Sequence, residues 1–119
     1  MAGNDSWREL QVWQKSHAAC LSIYRHTASF PPEERFGLTA QLRGSARSLP
    51  TNIAEGKGRA TNNDYRHFLI IGRGSLEETR YHLLLSRDLS YLSDPDYIQL
   101  ESNYTEISRM LNALIRSLG

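Results

Sequence analysis

Apolar residues recur along the chain at alternating steps of three and four, the spacing of amphipathic α-helices. The pattern predicts four helices, at about residues 7–28, 32–56, 62–91 and 95–118. Pro31 ends the first helix, and Gly58 follows the second. Four helices joined by short connections predict an all-α fold, an antiparallel up-down-up-down four-helix bundle that residues 1–119 form as a single domain.

Each predicted helix has an apolar stripe that should face the bundle interior. In the first helix this stripe comprises Leu10, Trp13, His17, Leu21, Tyr24 and Ala28, and it is widened by Val12, Ala19 and Ile23. In the third helix it comprises Tyr65, Phe68, Leu69, Gly72, Leu76, Thr79, Leu83 and Ser86. Glycine inside a helix costs about 1 kcal/mol relative to alanine. Gly72 and Gly74 therefore predict a tight helix crossing at the middle of the third helix.

The second predicted helix contains a proline within its apolar stripe, which comprises Leu38, Leu42, Ala46, Leu49 and Ile53. Pro50 has no backbone N–H, and its ring crowds the carbonyl four residues earlier. The stripe nevertheless continues on both sides of it. The pattern predicts a helix kinked at Pro50, with a break at which Ser48 caps a short second segment as the open alternative.

Composition indicates a globular protein of the reducing cytoplasm. The 119 residues carry a net charge of +1 and include a single cysteine, Cys20, which cannot form an intrachain disulfide. No stretch of 18 apolar residues and no basic segment leading into an apolar one is present. We therefore expect a cytoplasmic protein without a signal peptide or a membrane span.

The charges are unevenly distributed. Residues 35–73 carry seven cations against two carboxylates, whereas residues 74–119 carry four arginines against seven carboxylates. Arginine is suited to bidentate contacts with phosphate. The candidate nucleic-acid contacts are Arg43, Arg47, Lys57, Arg59, Arg66 and Arg73. In the alternative interpretation these side chains form an ordinary solvated surface, paired with carboxylates such as Glu55 and Asp64.

The sequence offers little support for an enzyme. Di-iron bundles require paired Glu-x-x-His motifs, and none is present, since Glu78 and His82 are four residues apart. One cysteine and four scattered histidines do not make a zinc site. The segment Gly72–Ser75 lacks the glycine spacing and the Gly-Lys ending of phosphate loops. We expect no catalytic residue, no metal and no cofactor.

Two blocks of sequence resemble a known family. The segment Ser48–Arg59 has the pattern Ser-x-Pro-x-Asn-Ile-Ala-Glu-Gly-x-Gly-Arg, and Phe68-Leu69 is followed by Gly74-Ser75 and Glu78. These blocks resemble a bacterial four-helix-bundle family first noticed as products of intervening sequences in 23S rRNA genes. The accessory variability determinant protein of diversity-generating retroelements is a relative. The resemblance covers about residues 7–118.

This resemblance implies a homo-oligomer, with a homopentameric ring as the expected state. The retroelement relative implies RNA or DNA and a reverse transcriptase as partners. The polar residues of the two blocks form either a binding site or a buried hydrogen-bonded network: Ser48, Asn52, Glu55, Ser75 and Glu78. We expect a non-catalytic scaffold or accessory protein that presents arginines to structured RNA or DNA. The alternative is a homo-oligomeric protein–protein interaction module without nucleic-acid binding.

Overall fold

The computed structural model describes residues 6–119 and contains four α-helices. They are α1 (Gln11–Thr27), α2 (Leu38–Lys57), α3 (Asn62–Asp88) and α4 (Asp94–Leu118). Consecutive helices pack antiparallel, and α4 also packs on α1. The predicted all-α four-helix bundle is confirmed. No helix within residues 6–119 combines the length and the apolar character needed to cross a membrane.

The helix boundaries differ from the predicted ones by more than one residue at three ends. The segments Ser6–Glu9 and Pro32–Glu34 form separate 3-10 turns, so α1 and α2 begin later than expected. Helix α3 ends at Asp88, three residues before the predicted end, because Ser90 adopts a left-handed backbone with φ 66°. The N–H of Tyr91 then donates to the carbonyl of Ser86, which closes the helix end.

Helix α2 runs without interruption through Pro50, so the alternative of a break is wrong. The proline removes the hydrogen bond that its N–H would donate to the carbonyl of Ala46. Leu49 and Ile53, on either side of it, are completely buried. Burial of an aliphatic side chain contributes about 1.5–3 kcal/mol. Packing of the flanking residues therefore offsets the lost hydrogen bond.

The contact between α2 and α3 is the most extensive in the bundle, and glycine makes it close. A Cβ atom on Gly56 would lie 2.9 Å from the Cβ of Phe68, and one on Gly72 would lie 3.4 Å from the Cβ of Asn52. The crossing predicted at Gly72 is confirmed. The same expectation for Gly74 is wrong, because no atom lies within 4 Å of a Cβ placed there.

The buried face of α1 is centred on the predicted margin of the stripe, with Val12, Ala19 and Ile23, rather than on its aromatic middle. It comprises Val12, Ser16, Ala19, Cys20, Ile23 and Thr27. The hydroxyl groups of Ser16 and Thr27 donate to carbonyls of their own helix over 2.7 and 2.8 Å, which makes both compatible with burial. His17 and Leu21 of the predicted stripe are exposed. Part of the larger apolar stripe therefore lies on the outside of the bundle.

Candidate functional site

Arg43 and Arg47 extend from α2 toward α1 and differ in their surroundings. Arg43 is half-buried, and its guanidinium donates to Thr27 Oγ1 over 2.7 Å and to the Tyr24 carbonyl over 3.3 Å. It also lies 4.7 Å from the centroid of the Tyr24 ring. Arg47 is exposed and donates to the Tyr24 hydroxyl over 3.0 Å. Arg43 thus connects α2 to α1, whereas Arg47 faces solvent.

Arg66 and Arg73 extend from α3 toward α4, on the opposite side of the α2–α3 pair. The guanidinium of Arg73 donates to Asn112 Oδ1 over 3.0 Å. Arg66 is exposed and lies beside Gly119, at the end of α4. The six cations predicted from the sequence therefore do not share one face.

Lys57 and Arg59 lie where α2 turns into α3, each against an aromatic ring. The Lys57 ammonium is 5.7 Å from the centroid of the Tyr65 ring, and the Arg59 guanidinium is 4.4 Å from that of Phe68. The glycine at position 56 allows this packing, because Tyr65 and Phe68 lie directly against it. Arg59 remains exposed to solvent. This turn presents a cation whose orientation is set by stacking.

The two ends of the bundle differ in charge. One end contains the start of α1, the α2–α3 turn and the end of α4, with the cations Arg8, Lys57, Arg59, Arg66 and Arg116. We call it the basic end, although Glu9, Glu55 and Asp64 also lie there. The opposite, acidic end carries the carboxylates Glu33, Glu34, Asp88, Asp94 and Asp96. A polyanion would therefore be attracted more strongly to the basic end.

None of the six candidate cations lies within 4.0 Å of a carboxylate in residues 6–119. The pairing with Glu55 or Asp64 that the sequence left open is thus not formed among these residues. Basic side chains elsewhere do pair, in Lys15–Glu106 at 3.1 Å, Arg80–Glu101 at 2.6 Å and Arg87–Asp88 at 3.0 Å. Of the candidate cations, Arg47, Arg59 and Arg66 are both exposed and without a carboxylate partner among the described residues.

The polar residues of the two sequence blocks separate into two groups. The hydroxyls of Ser48 and Ser75 lie 2.7 Å apart, and Asn52 Nδ2 donates to the carbonyl and the hydroxyl of Ser48 over 2.9 and 3.1 Å. These three residues join α2 to α3. The Glu78 carboxylate instead lies 3.1 Å from Nε2 of His82. The Glu55 carboxylate is exposed and has no hydrogen-bond partner within residues 6–119.

A cleft between α1 and α2 was missed by the sequence analysis. It has a volume of about 580 Å³ and opens to solvent. Its α1 side is formed by aromatic residues, including Trp13 and His17, and its α2 side includes Pro50 and Glu55. We call it the α1–α2 cleft. The regular spacing of aromatic residues on the first helix is the signal in the sequence that could have located this cleft, although the same spacing predicts a buried stripe.

The single thiol lies at the floor of the α1–α2 cleft. Burial raises the pKa of Cys20 above its ordinary value of 9.0, and the charge of Arg47 opposes this shift only in part. The thiolate, the reactive form, is therefore disfavoured at neutral pH. Within the described residues no three His, Cys, Asp or Glu side chains are grouped closely enough to hold a metal ion.

The chain is similar to one known protein family in sequence and to a solved structure in fold. Residues 8–113 match the model of a family described as 23S rRNA-intervening sequence protein. A crystal structure of a protein with unknown function from the S23 ribosomal protein family of Bacteroides thetaiotaomicron has the same fold. Its TM-score is 0.81 at 24% identity, over 88% of this chain and 95% of that one. Among curated proteins, no sequence matches.

Proposed function

The chain belongs to the 23S rRNA-intervening sequence protein family, and from this premise we propose that it is a non-catalytic accessory protein that contacts structured RNA or DNA. Phosphate contacts come from basic side chains of its middle segment, chiefly at the basic end. The observation that supports this proposal most is that Arg47, Arg59 and Arg66 are exposed and lack carboxylate partners among the described residues.

The three exposed arginines contribute differently from the remaining candidates. Arg43 and Arg73 already donate hydrogen bonds to neighbouring helices, so their main contribution is to the fold. Lys57 is half-buried over Tyr65 and supports the turn. Contacts to a phosphate backbone position a protein without specifying sequence. The proposed interaction is therefore strongly salt-dependent and has little sequence preference.

Fluorescence anisotropy of a labelled, structured RNA tests the proposal. Each phosphate contact adds about 0.9 to the slope of log K against log salt, so three contacts weaken binding roughly 40-fold between about 50 and 200 mM salt. Replacing both Arg59 and Arg66 by alanine should reduce this slope by about 2. The matched control is Arg25→Ala, which removes an exposed arginine at the acidic end and should leave the slope unchanged.

Two outcomes would contradict the proposal. RNA that does not bind at about 50 mM salt, where phosphate contacts are strong, would exclude the basic end as a polyanion surface. If Arg25→Ala, which removes one charge, lost half as much binding free energy as the double variant, which removes two, only the net charge would matter. In either case the accessory role would have to depend on protein partners.

The second candidate is a homo-oligomeric protein–protein interaction module without nucleic-acid binding. The supporting observation is the exposure of large apolar side chains, which is 44% for Ile71, 59% for Tyr81 and 64% for Ile98. Exposed apolar surface marks interaction sites. Gly74 lies one helical turn from Ile71 and leaves its backbone open to a second helix. The family resemblance favours a homopentamer, and a reverse transcriptase is a candidate protein partner.

Assembly mass, recorded by light scattering during the same salt titration, distinguishes the two candidates. An accessory protein for nucleic acid keeps its mass while its affinity for RNA falls with salt. A pure interaction module has a defined oligomeric mass and no salt-dependent RNA binding. In that second case Arg59→Ala with Arg66→Ala changes neither readout.

A further inference from the structure

The α1–α2 cleft has flat aromatic walls. The rings of Trp13 and His17 stack with an interplanar angle of 12° and centroids 5.0 Å apart. Trp7 meets Trp13 edge-on, with centroids 4.8 Å apart. All three residues line the cleft, and its volume of about 580 Å³ lies within the usual range of ligand pockets. The cleft is thus lined by aromatic rings, and the Trp13–His17 stack ends in the exposed His17.

Charged groups of opposite sign lie along the α2 side of this cleft. Arg47 and Glu55 both line it and are eight residues apart on α2, about 12 Å at the rise of an α-helix. Arg47 donates to the Tyr24 hydroxyl and has no carboxylate partner among the described residues. The Glu55 carboxylate likewise has no hydrogen-bond partner among the described residues. The guanidinium of Arg8 lies 5.0 Å from the Trp7 ring centroid, which adds a second cation beside the cleft.

We propose that the α1–α2 cleft binds an unpaired base of a single-stranded segment of RNA or DNA. The base extends the stack that Trp13 forms with His17, the adjoining phosphate lies against Arg47, and N–H groups of the base donate to the Glu55 carboxylate. This inference rests on the proposed function and specifies its substrate class. Stacking on aromatic side chains beside basic groups is how proteins hold unpaired bases.

The charges favour a nucleotide over an apolar protein segment. An aliphatic or aromatic side chain of a second copy could fill the cleft, but it would supply neither an anion for Arg47 nor a hydrogen-bond donor for Glu55. A nucleotide supplies an anion for Arg47 and N–H donors for Glu55, two of them side by side on the pairing edge of guanine and one on that of uracil. A duplex cannot enter, because its bases are stacked within the helix. The cleft therefore selects single-stranded segments.

Tryptophan fluorescence tests this inference directly, because Trp7 and Trp13 are the only two tryptophans of the chain and both line the cleft. Titration with a single-stranded oligonucleotide should quench the emission along the same binding curve that anisotropy reports. The same sequence in a blunt duplex should bind, if at all, without quenching. Guanosine monophosphate is added separately to distinguish a free nucleotide from a strand.

Matched substitutions at Trp13 separate stacking from packing. Trp13→Leu keeps an apolar side chain but removes the ring, and should weaken single-strand binding about 5- to 150-fold, the range expected for one stacked base. Trp13→Tyr keeps a ring and should retain most of the affinity. Glu55→Gln should weaken binding of a guanine-rich strand more than that of a uridine-rich strand. Circular dichroism establishes that each variant is folded.

The outcomes distinguish failure of this inference from failure of the proposed function. Salt-dependent binding that Arg59→Ala weakens, with unchanged tryptophan emission and equal affinity of Trp13→Leu, would overturn the inference alone. Absence of any binding would overturn both. Emission that changes on dilution of the protein and not with oligonucleotide would show that a second copy covers the cleft, which also overturns it. If guanosine monophosphate quenched the emission with the same affinity as the strand, the ligand of the cleft would be a free nucleotide, and the inference of a single strand would be overturned.

Discussion

The two sides of α2 are built differently although the same thirteen residues, Arg47–Arg59, contribute to both. Toward α3 the helix is closed: Gly56 lies against Tyr65 and Phe68, and the Ser48 hydroxyl meets that of Ser75. Toward α1 the same segment lines an open cleft with Pro50 and the unpaired Glu55. The polar groups toward α3 are partly buried and bond to one another, whereas the exposed Glu55 carboxylate toward α1 is left to solvent.

The largest expected effect concerns the closed side. Gly56→Val should lower the free energy of unfolding by about 3 kcal/mol, because overpacking of a filled contact is destabilising. The added Cβ would lie 2.9 Å from the Cβ of Phe68 and 3.1 Å from the carbonyl oxygen of Tyr65, so backbone must move. Urea unfolding followed by circular dichroism measures the change.

Gly74→Ala is the matched control, since it also replaces a helical glycine but at an open position. Nothing lies within 4 Å of the added Cβ, and the better helix propensity should stabilise the protein by about 1 kcal/mol. Opposite signs for the two substitutions would support the contrast between a closed and an open surface. If both variants lost similar stability, close packing of α2 on α3 would not explain Gly56.

A smaller loss of stability is expected on replacing Arg43, which connects α2 to α1. Arg43→Ala removes the hydrogen bonds to Thr27 Oγ1 and to the Tyr24 carbonyl, and hydrogen bonds of charged groups contribute about 1.5–3 kcal/mol. We expect a loss of about 2 kcal/mol in thermal or urea unfolding. Arg47→Ala, at an exposed position one turn away, should cost less than about 1 kcal/mol. A reversed order would mean that Arg47 carries the contact between the helices.

The smallest effect is expected at alkaline pH and comes from two buried groups, the Cys20 thiol and the Tyr104 hydroxyl. Burial raises the pKa of Cys20 above 9.0 and that of Tyr104 above 10.0. The folded protein therefore holds these protons more tightly than the unfolded chain. The stability they contribute is fully present below about pH 8.5, where a thiol in the unfolded chain is protonated, and decreases as the pH rises further.

Urea unfolding at pH 7.5, 9 and 10 measures this decrease, and Tyr104→Phe is its control. The Tyr104 hydroxyl is buried without a hydrogen-bond partner among the described residues, so its removal should cost little at pH 7.5. The variant should also lose less stability between pH 9 and 10 than the original protein. An identical pH dependence in the two proteins would assign the alkaline loss to other groups.

The sequence predicted the interior of α2 and α3 well, because each has one apolar stripe. Leu42, Leu49 and Ile53 of α2 and Leu69 and Leu76 of α3 are completely buried, as their spacing indicated. Hydrophobic periodicity reports the buried face when only one face is apolar. The candidate cations could be named from charge distribution alone, but their division between the α1 and α4 sides could not.

Helix α1 shows why prediction failed elsewhere. It has two faces that both qualify as apolar: a large aromatic one with Trp13 and Tyr24, and a smaller one with Ala19 and Ile23. The spacing predicted the aromatic face as the middle of the stripe and the smaller face as its margin. The smaller face enters the core, and Ser16 and Thr27 are compatible with burial there because their hydroxyls donate to carbonyls of their own helix.

By itself the sequence determined the four helices, their antiparallel order and the charged character of the middle segment, because periodicity, helix termini and charge are local properties of the chain. The tertiary structure alone decided that α2 continues through Pro50, that Gly74 stays open and that Glu55 stays unpaired. It also decided that both tryptophans line a cleft on the outside. These features depend on which side chains of distant segments meet, and such contacts exist only once the helices have packed.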